Sequence, residues 1–200
     1  MPVLGITGGI ATGKTTFTGC LSSLRPELEV FDSDSKAREL TGRDAAILAE
    51  IREEFGPGVF DASGTLQRPA LRAIVFAEPV KRKALEAILH PAIRRAWLEL
   101  AENIRGRPGR RWLAVDIPLL FETSAENHFD KVIVVACSPA TQRRRLMENR
   151  TIAPSLAESI IGSQLPLAAK VERADCVVWN DGGLEAVRAQ ARLLSMHLLS

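Results

Sequence analysis

Gly8-Gly9-Ile10-Ala11-Thr12-Gly13-Lys14-Thr15 is the stretch on which the reading of this chain turns. It follows a short apolar run, Val3-Leu4-Gly5-Ile6, and opens a predicted helix from about Lys14 to Leu24. The residues satisfy G-x-x-x-x-G-K-[ST] at every required position. Glycines let successive backbone N–H groups turn inward around an anion, and the helix amino terminus adds the positive end of its dipole. In such a loop Lys14 reaches the β- and γ-phosphates and the Thr15 hydroxyl binds Mg²⁺. A chance glycine turn before a helix is the plain alternative, and the strand on one side and helix on the other speak against it. The stretch therefore implies a bound nucleoside triphosphate.

Working outward, further apolar runs occur at Leu28 to Phe31, Trp112 to Val115, Lys131 to Ala136 and Cys176 to Trp179. Continuous rather than alternating apolar character is expected of parallel strands buried on both faces. With helical stretches between them, the pattern predicts an α/β fold, three-layered, with a mainly parallel five-stranded sheet. About eighty residues separate the second and third strands, far more than a crossover helix requires. Within them Leu85, Ile88 and Leu89, then Ile93, Trp97, Leu100 and Ile104, keep helical spacing. Pro91 is expected to kink or divide that helix, and Pro69 to open another at its first turn. Residues 36–110 thus read as a helical substrate-binding insertion, closed by the turn Gly106-Arg107-Pro108-Gly109. Residues 141–164, beginning near Arg143-Arg144-Arg145, read as a short helical lid. The nucleotide-binding core is then 1–35, 111–140 and 165–200.

Composition narrows the function classes. Two hundred residues, 46% hydrophobic and 25% charged, describe an ordinary globular chain and not a disordered or disulfide-stapled one. A net charge of +2 implies no nucleic-acid or membrane partner, and no protein partner is implied. Only six of the 26 basic residues are lysines. Arginine's planar fork suits phosphate, although a GC-rich coding bias is the plainer account of the surface arginines. Cys20, Cys137 and Cys176 form no CxxC pair and read as buried free thiols in a reducing cytoplasm. No run approaches a membrane span, and the amino end has no basic region of the signal-peptide kind.

The guanine-reading N-K-x-D segment of a GTPase is missing, and motor ATPases need more chain. A small kinase remains. Asp32 and Asp34, at the carboxyl end of the second strand, are expected to point the same way from extended chain, where one accepts a hydrogen bond from the acceptor hydroxyl. Capping the helix that starts near Ser35 is the competing role, heavier for Asp32. Asp116 is placed to face Mg²⁺ through water, or equally to be a solvated strand end. Of Arg143, Arg144, Arg145 and Arg150, those reaching the phosphates would stabilise charge on the transferring group, and at most two of the first three share a face. His90 is weighed as a structural residue against a base, while His128 and His197 are read as surface. Trp97, Trp112 and Trp179 are expected in the core.

Taken together, the segments resemble the dephospho-CoA kinase family nearly end to end. The resemblance runs through ITGGIATGKTT, VFDSD continuing into KAREL, GTLQRPALRAIVF, LHPAIRR, DIPLLFET with FDKVIVV, SPATQRRRLMENR, Gln164 and ADCVVWNDG. The order GTLQR, LHP, PLLFE is the specific part. It implies a phosphotransferase with an alcohol acceptor, using Mg²⁺ and ATP to phosphorylate the ribose 3′-hydroxyl of dephospho-CoA. It further implies that Asp34 is the catalytic carboxylate engaging that hydroxyl. The phosphate-binding residues are Gly8, Gly9, Ala11, Thr12, Gly13, Lys14, Thr15 and Thr16, with Arg145 reaching the phosphates from the lid. Arg68 and His90 belong to the substrate domain, and Asn180 to the turn walling the adenine. Two departures fall in the lid, Thr151-Ile152-Ala153-Pro154 after Arg150 and Ile160 before Ile161, and both bear on its closure. Another small-metabolite or nucleoside kinase, and an ATP-binding regulator that transfers nothing, remain the alternatives.

Overall fold

The computed structural model describes residues 3–107, 109, 111–150 and 153–198, with the side chains at 149 and 150 left out. Pro108 of the expected turn, the Arg150 side chain, and Thr151 and Ile152 of the first lid departure therefore lie outside the described residues. The chain divides into two compact units, Asp32–Glu102 and the remainder.

In the larger unit, strands β1 (Val3–Gly8), β2 (Leu28–Asp32), β3 (Trp112–Asp116), β4 (Lys131–Ala136) and β5 (Cys176–Trp179) form one sheet in the order β2-β3-β1-β4-β5. The ladders of β1 with β3, β1 with β4 and β4 with β5 are parallel, Ile6 standing opposite Asp116 on one side and Ile133 on the other. Every residue of β1 and β3 is buried, which is why these runs carry no polar alternation. Connections lead to one side of β1 as far as β3 and to the other from β4 onward. The carboxyl end of β1 is thus a topological switch point, where open α/β sheets take ligands.

Alternate side chains of β4 point to opposite faces. Ile133 and Val135 join Leu4, Ile6 and Ala114 beneath Phe17 and Leu21 of α1 (Lys14–Leu24) and Val187 and Ala191 of α9 (Leu184–Leu198). Val132, Val134 and Ala136 pack with Leu120, Phe121 and Ala125, backed by Leu167 and Val171 of α8 (Leu167–Glu172). A Cβ at Gly5 would sit 2.8 Å from both Leu120 Cδ1 and the Phe129 ring, so this buried strand position has no room for a side chain. The expected lid stretch forms α6 (Pro139–Arg150) and α7 (Pro154–Gly162). Trp112 is buried, but Trp179 is 49% exposed, against expectation. Its indole N–H donates to Asp181 at 2.9 Å, a partner that lets the ring stand at the end of the outermost strand.

The smaller unit is helical: α2 (Ser33–Arg43), α3 (Ala45–Phe55), a 3₁₀ turn (Pro57–Val59), α4 (Arg68–Ala77) and α5 (Pro79–Arg105), whose last turn continues into the other unit. Each start has a local cause. Asp32 caps α2 by accepting from the Ser35 N–H at 2.9 Å, Asp44 caps α3 by accepting from Ala46 and Ile47, and Pro69 stands in the first turn of α4. Leu40, Ile47, Ile51, Val59, Leu66, Leu71, Leu89 and Ala92 form its core.

Pro91 neither divides α5 nor ends it: the helix is continuous over 27 residues. An interior proline forfeits one backbone hydrogen bond and costs about 3 kcal/mol. Burial of Leu89, Ala92 and Trp97 on the flanking turns offsets that loss. Among the described residues, no helix is long and apolar enough to cross a membrane.

The Asp44 cap gives a simple test of this account. Asp44→Ala removes the acceptor for two amide donors and is expected to cost about 1 kcal/mol. Denaturant unfolding should show a lowered midpoint, and Asp44→Ser should recover most of it.

Candidate active site

The loop beyond β1 is held open from outside as well as by its own backbone. Ala11 and Gly13 both take positive φ, 59° and 90°. Gly13 has no alternative, since a Cβ there would lie 2.1 Å from Asn180 Nδ2. Ala11 carries a left-handed strain of about 1–2 kcal/mol that its surroundings must hold in place. The holding groups are specific. Thr12 Oγ1 donates to Gly9 O at 2.9 Å, and Asn180 Nδ2 donates to Thr12 O at 2.8 Å. Gln142 Nε2 donates to Ile10 O at 2.8 Å, while Gln164 Oε1 accepts from the Ile10 N–H at 3.1 Å.

Arg145 belongs to the same bracing. Its guanidinium donates to Ala11 O at 3.4 Å, Thr12 O at 3.2 Å and Asn180 O at 2.9 Å. Arg143 and Arg144 are exposed on α6 and pair with Glu158 and Glu148, so one of the three consecutive arginines faces the loop. At the β4–α6 corner the Asp181 carboxylate accepts from the Ser138 backbone N–H and hydroxyl. The backbone bond, foremost among its hydrogen bonds, holds its carboxyl down at about 2.

Lys14 and Thr15 start α1, which has no acidic residue in its first turn and no side-chain cap. The positive end of the helix dipole there favours an anion. Thr15 and Thr16 are exposed there. The Lys14 ammonium pairs with the Asp116 carboxylate, which also accepts from Thr18 Oγ1 at 3.4 Å. Asp116 is 5% exposed, so the solvated strand end is excluded; it is a buried partner of the loop lysine.

The smaller unit carries the other expected residues. Asp32 and Asp34 do not share an extended segment. Asp32 is the N-cap and Asp34 lies in the first turn of α2, both exposed on either side of buried Ser33. The chain turns helical at Ser33 because the Asp32 carboxylate satisfies the Ser35 N–H, the capping role weighed for it above. Arg68 donates to Arg38 O at 2.6 Å, bracing α4 against α2. His90 is half-buried on α5 beside a cavity of about 510 Å³ shared with Arg94, Arg95 and Glu99. Burial lowers the His90 pKa, Glu86 opposes the shift, and Arg94 adds to it.

Sequence reasoning passed over Gln142 and Lys170. Gln142 had a signal: it stands three residues before Arg145 and so on the same helix face. Lys170 had a fainter one, as a single charge in an otherwise apolar turn, Leu167-Ala168-Ala169-Lys170-Val171.

A central parallel strand ending in this loop, with a helix amino terminus beneath it and a lysine at its mouth, defines the P-loop class of nucleotide-binding folds. A family model described as dephospho-CoA kinase (CoaE) matches residues 2–186. The chain belongs to the dephospho-CoA kinase family. It is similar to the dephospho-CoA kinase of Symbiobacterium thermophilum, 40% identical over 190 residues, 95% of this chain and 78% of the relative. Among solved structures it resembles TT1252 from Thermus thermophilus, with a TM-score of 0.78 and 31% identity over 98% of this chain and 97% of that one. It shares its fold with the Campylobacter jejuni dephospho-CoA kinase, with a TM-score of 0.64 and 24% identity over 98% and 97% of the two chains.

The environment of His90 sets a pH dependence. The fold favours its neutral form, so the folded chain binds fewer protons than the unfolded one below the ordinary value of 6.5. Stability therefore falls as pH drops from about 6.5 toward the lowered value. Melting temperatures between pH 7 and 5 should fall more steeply for the wild type than for His90→Gln. Parallel curves would remove His90 as the source.

Proposed function

We propose that this chain transfers the γ-phosphate of ATP to the ribose 3′-hydroxyl of dephospho-CoA, giving CoA and ADP. The observation carrying this reading is the extent of the family match, residues 2–186, which takes in both the phosphate loop and the helical unit. The loop, Gly8, Gly9 and Ala11 to Thr16, cradles the phosphates. Lys14, which pairs with Asp116, reaches the β- and γ-oxygens. Arg145 and Asn180 keep the loop in its binding shape and border the nucleotide.

Phosphoryl transfer has a loose transition state, so holding the acceptor oxygen in line matters as much as taking its proton. Asp34 is the carboxylate that orients the hydroxyl and accepts the proton. Arg68 and His90, with the helical unit 36–110, serve the acceptor, and 141–164 acts as the lid. No group of three or more acidic, histidine or cysteine side chains that could cage a metal occurs among the described residues. That suits Mg²⁺, which keeps several waters and takes its other ligands from phosphate. The Thr15 hydroxyl would hold it directly and Asp116 through water. When bound, it supplies neutralisation of charge on the phosphate oxygens. Cys20, Cys137 and Cys176 are free thiols, Cys137 buried as expected but Cys20 and Cys176 only half-buried, and a reducing cytoplasm would keep them so.

The assay is ADP release from Mg-ATP with and without dephospho-CoA. ADP formed only with this acceptor, beside a 3′-phosphorylated product, is the expected result. ATP binding without acceptor-dependent ADP would overturn it. Asp34→Asn should lower kcat by roughly 10²-fold or more with ATP affinity little changed.

A further inference from the structure

Lys170, on α8, is fully buried at 0% exposure. Its Nζ donates to Gly8 O at 3.3 Å and Pro118 O at 3.1 Å, and pairs with Glu122 Oε1 at 2.8 Å. An ammonium has three donors, and here they meet one acceptor in the last residue of β1 and two in the turn that follows β3. A buried charge is tolerated only when it is paired and its hydrogen bonds are made. The acceptors are not incidental backbone. Gly8 is the first residue of the phosphate loop. Pro118 follows Asp116, the partner of Lys14, by two residues, and Pro118 O also takes the Thr7 hydroxyl of β1 at 3.2 Å. Glu122 Oε1 accepts in addition from the Leu165 N–H at 2.9 Å, next in sequence to Gln164, whose side chain holds the Ile10 N–H.

Two routes thus lead from Lys170 to the phosphate loop: directly to Gly8, and through Glu122, Leu165 and Gln164 to Ile10. We infer that Lys170, with Glu122, is a positioning residue for nucleotide binding, fixing the loop against the strand end that carries Asp116. The inference rests on the kinase reading for the identity of the nucleotide and not for the acceptor. Without the ammonium, buried Gly8 O loses this partner, Pro118 O is left with Thr7 and Glu122 Oε1 with the Leu165 N–H, and more of the ordering at the Gly8 end of the loop falls to the nucleotide. Affinity for nucleotide then falls, because ordering is drawn from binding.

The test is calorimetric binding of Mg·AMP-PNP, without acceptor, to folded wild type and Lys170→Met, with folding checked by circular dichroism. The expected result is at least a tenfold rise in Kd, with KM for ATP rising in parallel and KM for dephospho-CoA unchanged. A role confined to helix packing would lower the melting temperature and leave Kd within twofold, which overturns the inference. Should Lys170→Met fail to fold, Glu122→Gln decides. It keeps a neutral acceptor for Lys170 and is expected to raise Kd three- to tenfold, and an unchanged Kd is again the overturning result. Because this readout omits the acceptor, a wrong acceptor would show in the ADP assay and leave the binding comparison intact.

Discussion

A loop that binds phosphate through its backbone must present several amide N–H groups to one point and keep them from each other's carbonyls. In this chain that requirement falls on Gly9 to Gly13, two of whose residues lie in left-handed conformations. The loop supplies little of its own fixation beyond Thr12 reaching back to Gly9 O. Its carbonyls at Ile10, Ala11 and Thr12 are taken by Gln142, Arg145 and Asn180, from α6 and from the end of β5. With those carbonyls occupied, and the Ile10 N–H held by Gln164, side chains far apart in sequence fix the backbone course of a short peptide that meets the ligand. The sheet serves this end, since β4 and β5 carry α6 and Asn180 to the position where their side chains meet the loop.

The helical unit is organised by a different economy. It has a separate apolar core around Ile51 and Leu71 and begins α2 and α3 with carboxylate caps. Its 61–67 corner closes on Asp61, whose carboxylate accepts from Ser63 N–H, Thr65 N–H and Gln67 Nε2; the Ser63 hydroxyl leads in lowering its pKa. These local bonds give Arg68 a fixed starting point at the first turn of α4. A unit with its own apolar core can present an exposed polar side chain such as Asp34.

Much of this was legible in the sequence. Buried parallel strands write themselves as unbroken apolar runs, so β3 and β4 were bounded almost to the residue; β5 was bounded as well, although as the edge strand it leaves Val177 and Trp179 exposed. The loop motif carried its own spacing, and of the arginine trio Arg145 turns to the loop while Arg143 and Arg144 are exposed. What was illegible depended on tertiary partners. Pro91 is a local breaker overruled by burial of its neighbours, and Asp32 is a cap because the chain turns helical one residue later. Trp179 is a large apolar residue kept at the surface by an indole hydrogen bond. The Gln142 and Lys170 contacts span 132 and 162 residues, beyond any periodicity.

The exposure of Trp179 gives the molecule a built-in optical probe. Trp97 and Trp112 are 2% and 7% exposed, so a collisional quencher in solution meets chiefly the third indole. Trp179 is bonded to the neighbour of Asn180 on one side in sequence, and Asn180 itself holds Thr12 O. One solvent-open aromatic ring thus stands next in sequence to the amide that holds the phosphate loop.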